Sequence, residues 1–399
     1  MHFKALKFRP KPSKTTSDES IKPTPPSKGP VLPIWKPLHA PGDESTTVNP
    51  ALPSLRQETL KFDPEYEEWR KPFGDKTRMP PCGTPLEFRT FNDTFMRAVW
   101  AALPPQPDII QTRYTVKSYD GAEIALVRFA TAEQMKGGGE IGIASDGQGG
   151  GAAQDEGEKT RRPALLYLHG GGLVAVSVAI FAPQLARLAA DAGVQVFGAE
   201  YRLAPEHPFP APAEDCYASL QWLSARAPEL GIDASRIGVM GDSAGGGLAA
   251  ATALMARDRA LRPPVKSLVL VYPMLDDRVS EVGADSPLLR FATIPLGSIK
   301  MCWQAYLGTT ESGAAGALSP YAAPARAEDL RGLPRTYIDV GGLDLFRDEC
   351  ATFAGRLAKA DVEVEFHLVP GVPHGFESAS EIAVTKRAYQ GRLRWIGGL

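Results

Sequence analysis

Gly241-Asp242-Ser243-Ala244-Gly245 places a serine where a strand must turn sharply into a helix. Before it, Arg236-Ile237-Gly238-Val239-Met240 is short and apolar and reads as a buried strand. After it, the stretch from Gly246 through Leu254 and Met255 is small, apolar and rich in helix formers. A serine at such a corner has a strained backbone. Its glycine neighbours leave room for the turn, and its hydroxyl projects above the sheet. This is a nucleophile elbow.

A hydroxyl nucleophile at neutral pH needs a base, a group that orients the base, and donors for the oxyanion formed on attack. Downstream, Arg335 to Val340 reads as a strand and runs into Gly341-Gly342-Leu343-Asp344. Val362 to Val369 alternates at period two and ends in Pro370-Gly371-Val372-Pro373-His374-Gly375-Phe376. Ser243, Asp344 and His374 therefore each follow a strand end, on the rim where an open parallel sheet gathers its functional groups. Their order, Ser then acid then His, is the one the elbow template requires. Asp348 and Glu349 are alternative acids, but they fall in the first turn of the next helix, where a carboxylate favours the helix dipole. Asp344 is the better candidate. For the oxyanion, Pro163 to Leu168 reads as a strand followed at once by His169-Gly170-Gly171-Gly172, whose backbone can approach a ligand closely. Two glycine amides and the amide of Ala244 make three candidate donors.

These motifs, together with Tyr201-Arg202-Leu203-Ala204-Pro205-Glu206-His207-Pro208, Ser319-Pro320, Leu333-Pro334 and Asp344-Leu345-Phe346-Arg347-Asp348-Glu349, resemble the hormone-sensitive-lipase family of serine esterases from about Tyr114 onward. The resemblance implies an α/β-hydrolase fold: a mostly parallel eight-stranded sheet flanked by helices, with a helical cap over the serine. It implies Gly171, Gly172 and Ala244 as the oxyanion hole and Asp344 as the acid. It also implies a small-molecule ester as substrate, with a short- to medium-chain acyl or acetyl group, and leaves a homodimer open. The chain departs from the family pattern at Leu345-Phe346 and at Leu173, where reshaping of the acyl pocket is expected, and in a long insertion after the second strand.

Residues 1–58 are rich in Pro, Lys, Ser and Thr, with too little apolar surface to offset the entropy of ordering, so a disordered or extended tail is expected. Residues 59–108 carry apolar and aromatic side chains that suggest one or two cap helices, and 109–399 the hydrolase core. Strands are expected near 110–118, 122–130, 163–168, 194–200, 236–241, 266–273, 335–340 and 362–369, the first two as a hairpin across Asp120-Gly121. Helices are expected near 179–191, 213–226, 244–258, 346–360 and 377–396. Residues 132–161, dense in Gly, Ala, Asp and Glu, read as a flexible insertion. Residues 277–331 interrupt the alternation and read as a cap insertion with one or two helices.

The formal net charge of −2 gives no reason to expect nucleic acid or a membrane surface as partner. The four cysteines are scattered without metal-ligand spacing, which fits reduced thiols and a cytoplasmic location. No stretch has the length and apolarity of a membrane span. The chemistry requires no metal or organic cofactor. Arg202 and Glu206 read as a structural pair, His169 as a support of its glycine loop, and Asp242 has no proton-transfer role. Three alternatives remain beside ester hydrolysis. One is an amidase or acyltransferase using the same groups, and another a non-catalytic small-molecule receptor on the same fold. The third is a dinucleotide oxidoreductase, with Gly170, Gly172 and Ala175 as its fingerprint and Glu200 as the ribose acid.

Overall fold

Eight strands form one sheet in the order β1-β2-β4-β3-β5-β6-β7-β8 in the computed structural model. They are β1 Ile109–Lys117, β2 Glu123–Thr131, β3 Arg162–Leu168, β4 Gln195–Glu200, β5 Ile232–Asp242, β6 Ser267–Val271, β7 Arg335–Gly341 and β8 Val364–Val369. The structure describes residues 60–135, 161–283, 285–308 and 318–399. The expected tail over 1–58 and most of the insertion over 132–161 lie outside the described residues. β1 and β2 pair antiparallel as a hairpin, β2 pairs antiparallel with β4, and every later pairing is parallel.

The pattern follows from burial. Ala164–Leu168 of β3 and all of β6 are buried, as strands covered on both faces must be, and Ala164–Leu168 and Leu268–Val271 are continuous apolar runs. The helices Val178–Ala192, Ala211–Arg226, Ala244–Asp258, Arg347–Lys359 and Ala383–Ile396 flank the sheet. The helix after the elbow is buried from Ala244 through Ala256, which its Gly- and Ala-rich sequence permits because small side chains let backbones approach.

Several expectations shift. β5 begins at Ile232, before the apolar run, because Ile232 already pairs with Arg162 of β3 ahead of an irregularity in the register, a pairing its polar Asp233, Ser235 and Arg236 conceal in the sequence. The last helix spans Ala383–Ile396 rather than 377–396. Phe376–Ala379 forms a separate 3-10 turn, and Ile382 is extended between the two. Ala132–Met135, expected to open a flexible insertion, is a helical turn whose Gln134 is buried and donates to the Gly193 carbonyl at 3.0 Å.

Among the described residues, the α-helices Pro64–Arg70 and Pro85–Ala101 precede the sheet, each with a side-chain N-cap from Asp63 or Thr84. Among its described residues, the interval 277–331 contributes one α-helix, Leu296–Leu307, and short 3-10 turns at Asp277–Glu281, Leu289–Phe291 and Pro324–Arg326. These two remote segments are stitched together. Met79 donates its amide to the Thr293 carbonyl at 2.7 Å, Arg78 Nε donates to the Ala292 carbonyl at 3.1 Å, and Phe62 packs edge-on against Phe291.

Arg202 and Glu206 are both ion-paired, but not to each other. Arg202 donates from Nε and Nη2 to the Asp215 carboxylate, each at 2.8 Å, and from Nη1 to Asp120 at 2.7 Å. Glu206 instead receives Arg89, at 2.8 and 2.6 Å. Sequence proximity suggested the wrong partners because the true ones lie on other elements. Asp215 is fully buried, so removing its cation leaves an uncompensated interior charge. Arg202→Ala is expected to lower unfolding free energy by about 3 kcal/mol in a denaturant titration.

Candidate active site

Ser243 stands at φ 55°, ψ −121°, between the end of β5 and the helix Ala244–Asp258. An L-residue adopts positive φ only under constraint. Here the Ser243 amide donates to the Val271 carbonyl at 2.8 Å, and its own carbonyl accepts from the amides of Met274 and Gly247 at 2.9 and 3.1 Å. Two glycines make this possible. A Cβ on Gly241 would lie 2.1 Å from the Gly245 carbonyl oxygen, and one on Gly245 would lie 2.0 Å from that of Leu168. The serine side chain makes no helix-capping bond, so its hydroxyl is free for another partner.

That partner is His374. Its Nε2 lies 2.9 Å from Ser243 Oγ, and its Nδ1 lies 2.8 Å from Asp344 Oδ2. The other Asp344 oxygen accepts the Phe346 amide at 2.9 Å, and the carboxylate is buried. With Nδ1–H directed at the carboxylate, Nε2 carries the lone pair that faces the hydroxyl. Burial pushes the His374 pKa down, but the charge and hydrogen bond of Asp344, with the charges of Glu377 and Asp242, outweigh it, and the net shift is upward. The alternative acids are elsewhere. Asp348 is exposed and pairs with Arg347, while Glu349 is partly buried and accepts the Leu275 amide at 2.7 Å.

Gly171 and Gly172 both have positive φ, 103° and 63°, in a turn closed by the Val174 and Ala175 amides donating to the Gly171 carbonyl. His169 Nδ1 donates to the Gly170 carbonyl at 2.9 Å, and the Tyr201 hydroxyl donates to the His169 carbonyl at 2.7 Å. Arg89 fastens the far end of the loop from the N-terminal segment, donating Nε to the Val174 carbonyl at 2.5 Å. Gly171, Gly172, Ser243 and His374 open into a cavity of about 490 Å³. Its walls are mostly apolar and come from Trp69, Phe88, Phe91, Phe95, Ile294 and Phe346, among others. Phe346 lines it, whereas Leu173 is buried away from it, so only one of the two departures reaches the pocket.

A family model for the alpha/beta hydrolase fold matches residues 165–378. "Esterase LipI" of Mycobacterium tuberculosis is 37% identical over 225 residues, covering 55% of this chain and 67% of the relative. "Ethyl acetate hydrolase" of Pseudomonas putida is 34% identical over 228 residues, covering 53% and 65%. The match thus spans about two thirds of these curated relatives. Among solved structures, "Bacterial Heroin Esterase" superposes with a TM-score of 0.69 at 34% identity, covering 84% of this chain and 97% of that one. The chain belongs to the hormone-sensitive-lipase-like esterases of the α/β-hydrolase fold.

In this hydrolase, Glu200, the ribose acid of the dinucleotide reading, is engaged otherwise and accepts the Val178 amide at 3.1 Å at the start of a helix. No helix among the described residues is long and apolar enough to cross a membrane. All four cysteines are free thiols. Sequence reasoning missed Tyr272, whose ring lies 4.5 Å from that of His374, and Glu377, which accepts the Tyr272 hydroxyl. Both were findable, since Tyr272 follows a strand end on the same rim and Glu377 follows the His374 motif directly.

His169 is fully buried, and burial pushes its pKa down to about 4 although the Gly170 carbonyl opposes this. Desolvation disfavours the cation, so the imidazole is expected to stay neutral across the range of about pH 5–8 where histidines ordinarily titrate. Its ring resonances in an NMR titration should remain flat there.

Proposed function

We propose that Ser243, His374 and Asp344 hydrolyse carboxylic esters through an acyl-enzyme. His374 Nε2 takes the Ser243 proton as Oγ attacks the ester carbonyl, and Asp344 orients the imidazole and stabilises its cation. The amides of Gly171, Gly172 and Ala244 receive the oxyanion, where loss of one donor typically costs about 3–4 kcal/mol of transition-state stabilisation. His374 then protonates the leaving alcohol. It next activates a water that releases the acid and regenerates the serine. The observation that carries this reading is the unbroken Ser243–His374–Asp344 chain, at 2.9 and 2.8 Å, opening into an apolar cavity.

The substrate is a small ester whose apolar part fills that cavity, with a short- to medium-chain acyl group. Four free thiols fit a reducing, cytoplasmic compartment. The outer edge of β8, with Leu368 half exposed, offers unpaired main-chain groups through which two copies would form a homodimer.

Ser243→Ala is expected to abolish turnover of p-nitrophenyl acetate and butyrate in a release assay; wild-type rates in that variant reject the assignment. The base must be neutral to accept a proton, and its pKa is raised, so kcat/KM should fall as pH drops through a value above the ordinary histidine pKa of about 6.5. Asp344→Asn should move that limb to lower pH, because it deletes the charge that favours the imidazolium. It should also lower kcat by about 10³–10⁴-fold, since the histidine loses its orienting carboxylate.

A further inference from the structure

Beside His374, against the Tyr272 ring, lies a largely buried ionic cluster that the reaction described above does not use; its Tyr272 and Glu377 also line the cavity. Arg392, on the helix Ala383–Ile396, is 2% exposed. It forks onto Asp339 of β7, with Nε to Oδ2 at 2.6 Å and Nη2 to Oδ1 at 2.8 Å. Its remaining Nη1 donates to Glu377. The second Glu377 oxygen accepts the Tyr272 hydroxyl, and the Tyr272 amide donates to the Asp339 carbonyl at 2.6 Å. The contacts close into a ring. Tyr272 holds φ 34°, a strained value for a bulky residue, and its ring lies against the imidazole of His374 at 4.5 Å, with Phe346 edge-on to that imidazole at 5.0 Å.

The charges do not cancel. Arg392 is one cation set against Asp339 and Glu377, and the fork already pairs it with Asp339. A cluster carrying one more carboxylate than guanidinium, placed beside the base, stabilises the imidazolium that forms as Ser243 attacks. The other groups facing His374 are Asp344 after β7, Asp242 at the end of β5, and the Thr293 hydroxyl, which donates to the His374 carbonyl at 3.0 Å. Lys76 and Arg78 line the cavity from the N-terminal segment.

We infer that Glu377, locked by Arg392, positions His374 through the Tyr272 hydroxyl and supplies a second carboxylate charge beside the imidazole during proton transfer. Glu377 is a positioning residue, and its role rests on His374 being the base proposed above. The test compares Glu377→Gln and Tyr272→Phe with the parent chain on p-nitrophenyl butyrate, reading kcat, KM, the pH profile of kcat/KM and Tm. Each variant should lose about ten-fold in kcat, part of the 10²–10⁴-fold a general base contributes, with KM within about two-fold. Glu377→Gln should also carry the acid limb to lower pH, which a purely structural role would not do. Tyr272→Phe, lacking one oxygen, keeps the charge and should leave the limb in place; it carries the test if Glu377→Gln does not fold. Parent kcat in both variants, or a loss of kcat that follows a fall in Tm with an unmoved limb in Glu377→Gln, overturns the inference while Ser243→Ala stays inactive. Turnover retained by Ser243→Ala would instead remove the underlying assignment.

Discussion

A serine backbone at positive φ, pinned between two parallel strands, is the constraint on which the site depends. The conformation is unfavourable in isolation and persists because the carbonyl of Val271 and the amides of Met274 and Gly247 hold both peptide groups of Ser243. The glycines at 241 and 245 are what let the backbone pass so close to itself and to β3. Because the turn is held by the central strands, the hydroxyl inherits the rigidity of the sheet. The imidazole and carboxylate then need only be brought to it by loops at the same rim.

Electrostatics in the interior reinforce that geometry. Carboxylates at Asp344, Asp242 and Glu377 surround one imidazole, and Arg392 is the cation buried among them with Asp339. Burial pushes Asp242 up to about 7, and the hydroxyl of Tyr167, donating at 2.6 Å, opposes that rise. Isolated charges in such surroundings would be costly, so each is tied to a donor or a counter-charge. The same low-dielectric setting makes the field felt by His374 stronger than it would be in water.

The cavity is made by parts that belong to no single stretch of chain. Phe88 and Phe91 come from the helix Pro85–Ala101, Ile294 and Ile299 from the interval after β6, and Phe346 from the loop carrying Asp344. Backbone bonds from Met79 to Thr293, and ion pairing of Arg89 with Glu206, join the N-terminal helices to the rest. Aromatic side chains make much of the wall around the serine, with Lys76, Arg78 and Glu377 among the polar groups beside them.

Local pattern alone determined the elements and the rim. The continuous apolar runs Ala164–Leu168 and Leu268–Val271 mark β3 and β6, because strands covered on both faces have no polar side to show. Glycines mark the turns that a Cβ would block, and the order of Ser243, Asp344 and His374 along strand ends made their meeting an expectation before any distance was known. What local pattern could not carry were partnerships between remote side chains. Arg202 pairs with Asp215 and Asp120 rather than with its neighbour Glu206, and Glu377 sits in a separate 3-10 turn and pairs with Arg392 instead of opening the last α-helix. Those choices are made by burial and charge balance in the assembled interior, where a side chain bonds whatever lies within about 3 Å regardless of its distance along the chain.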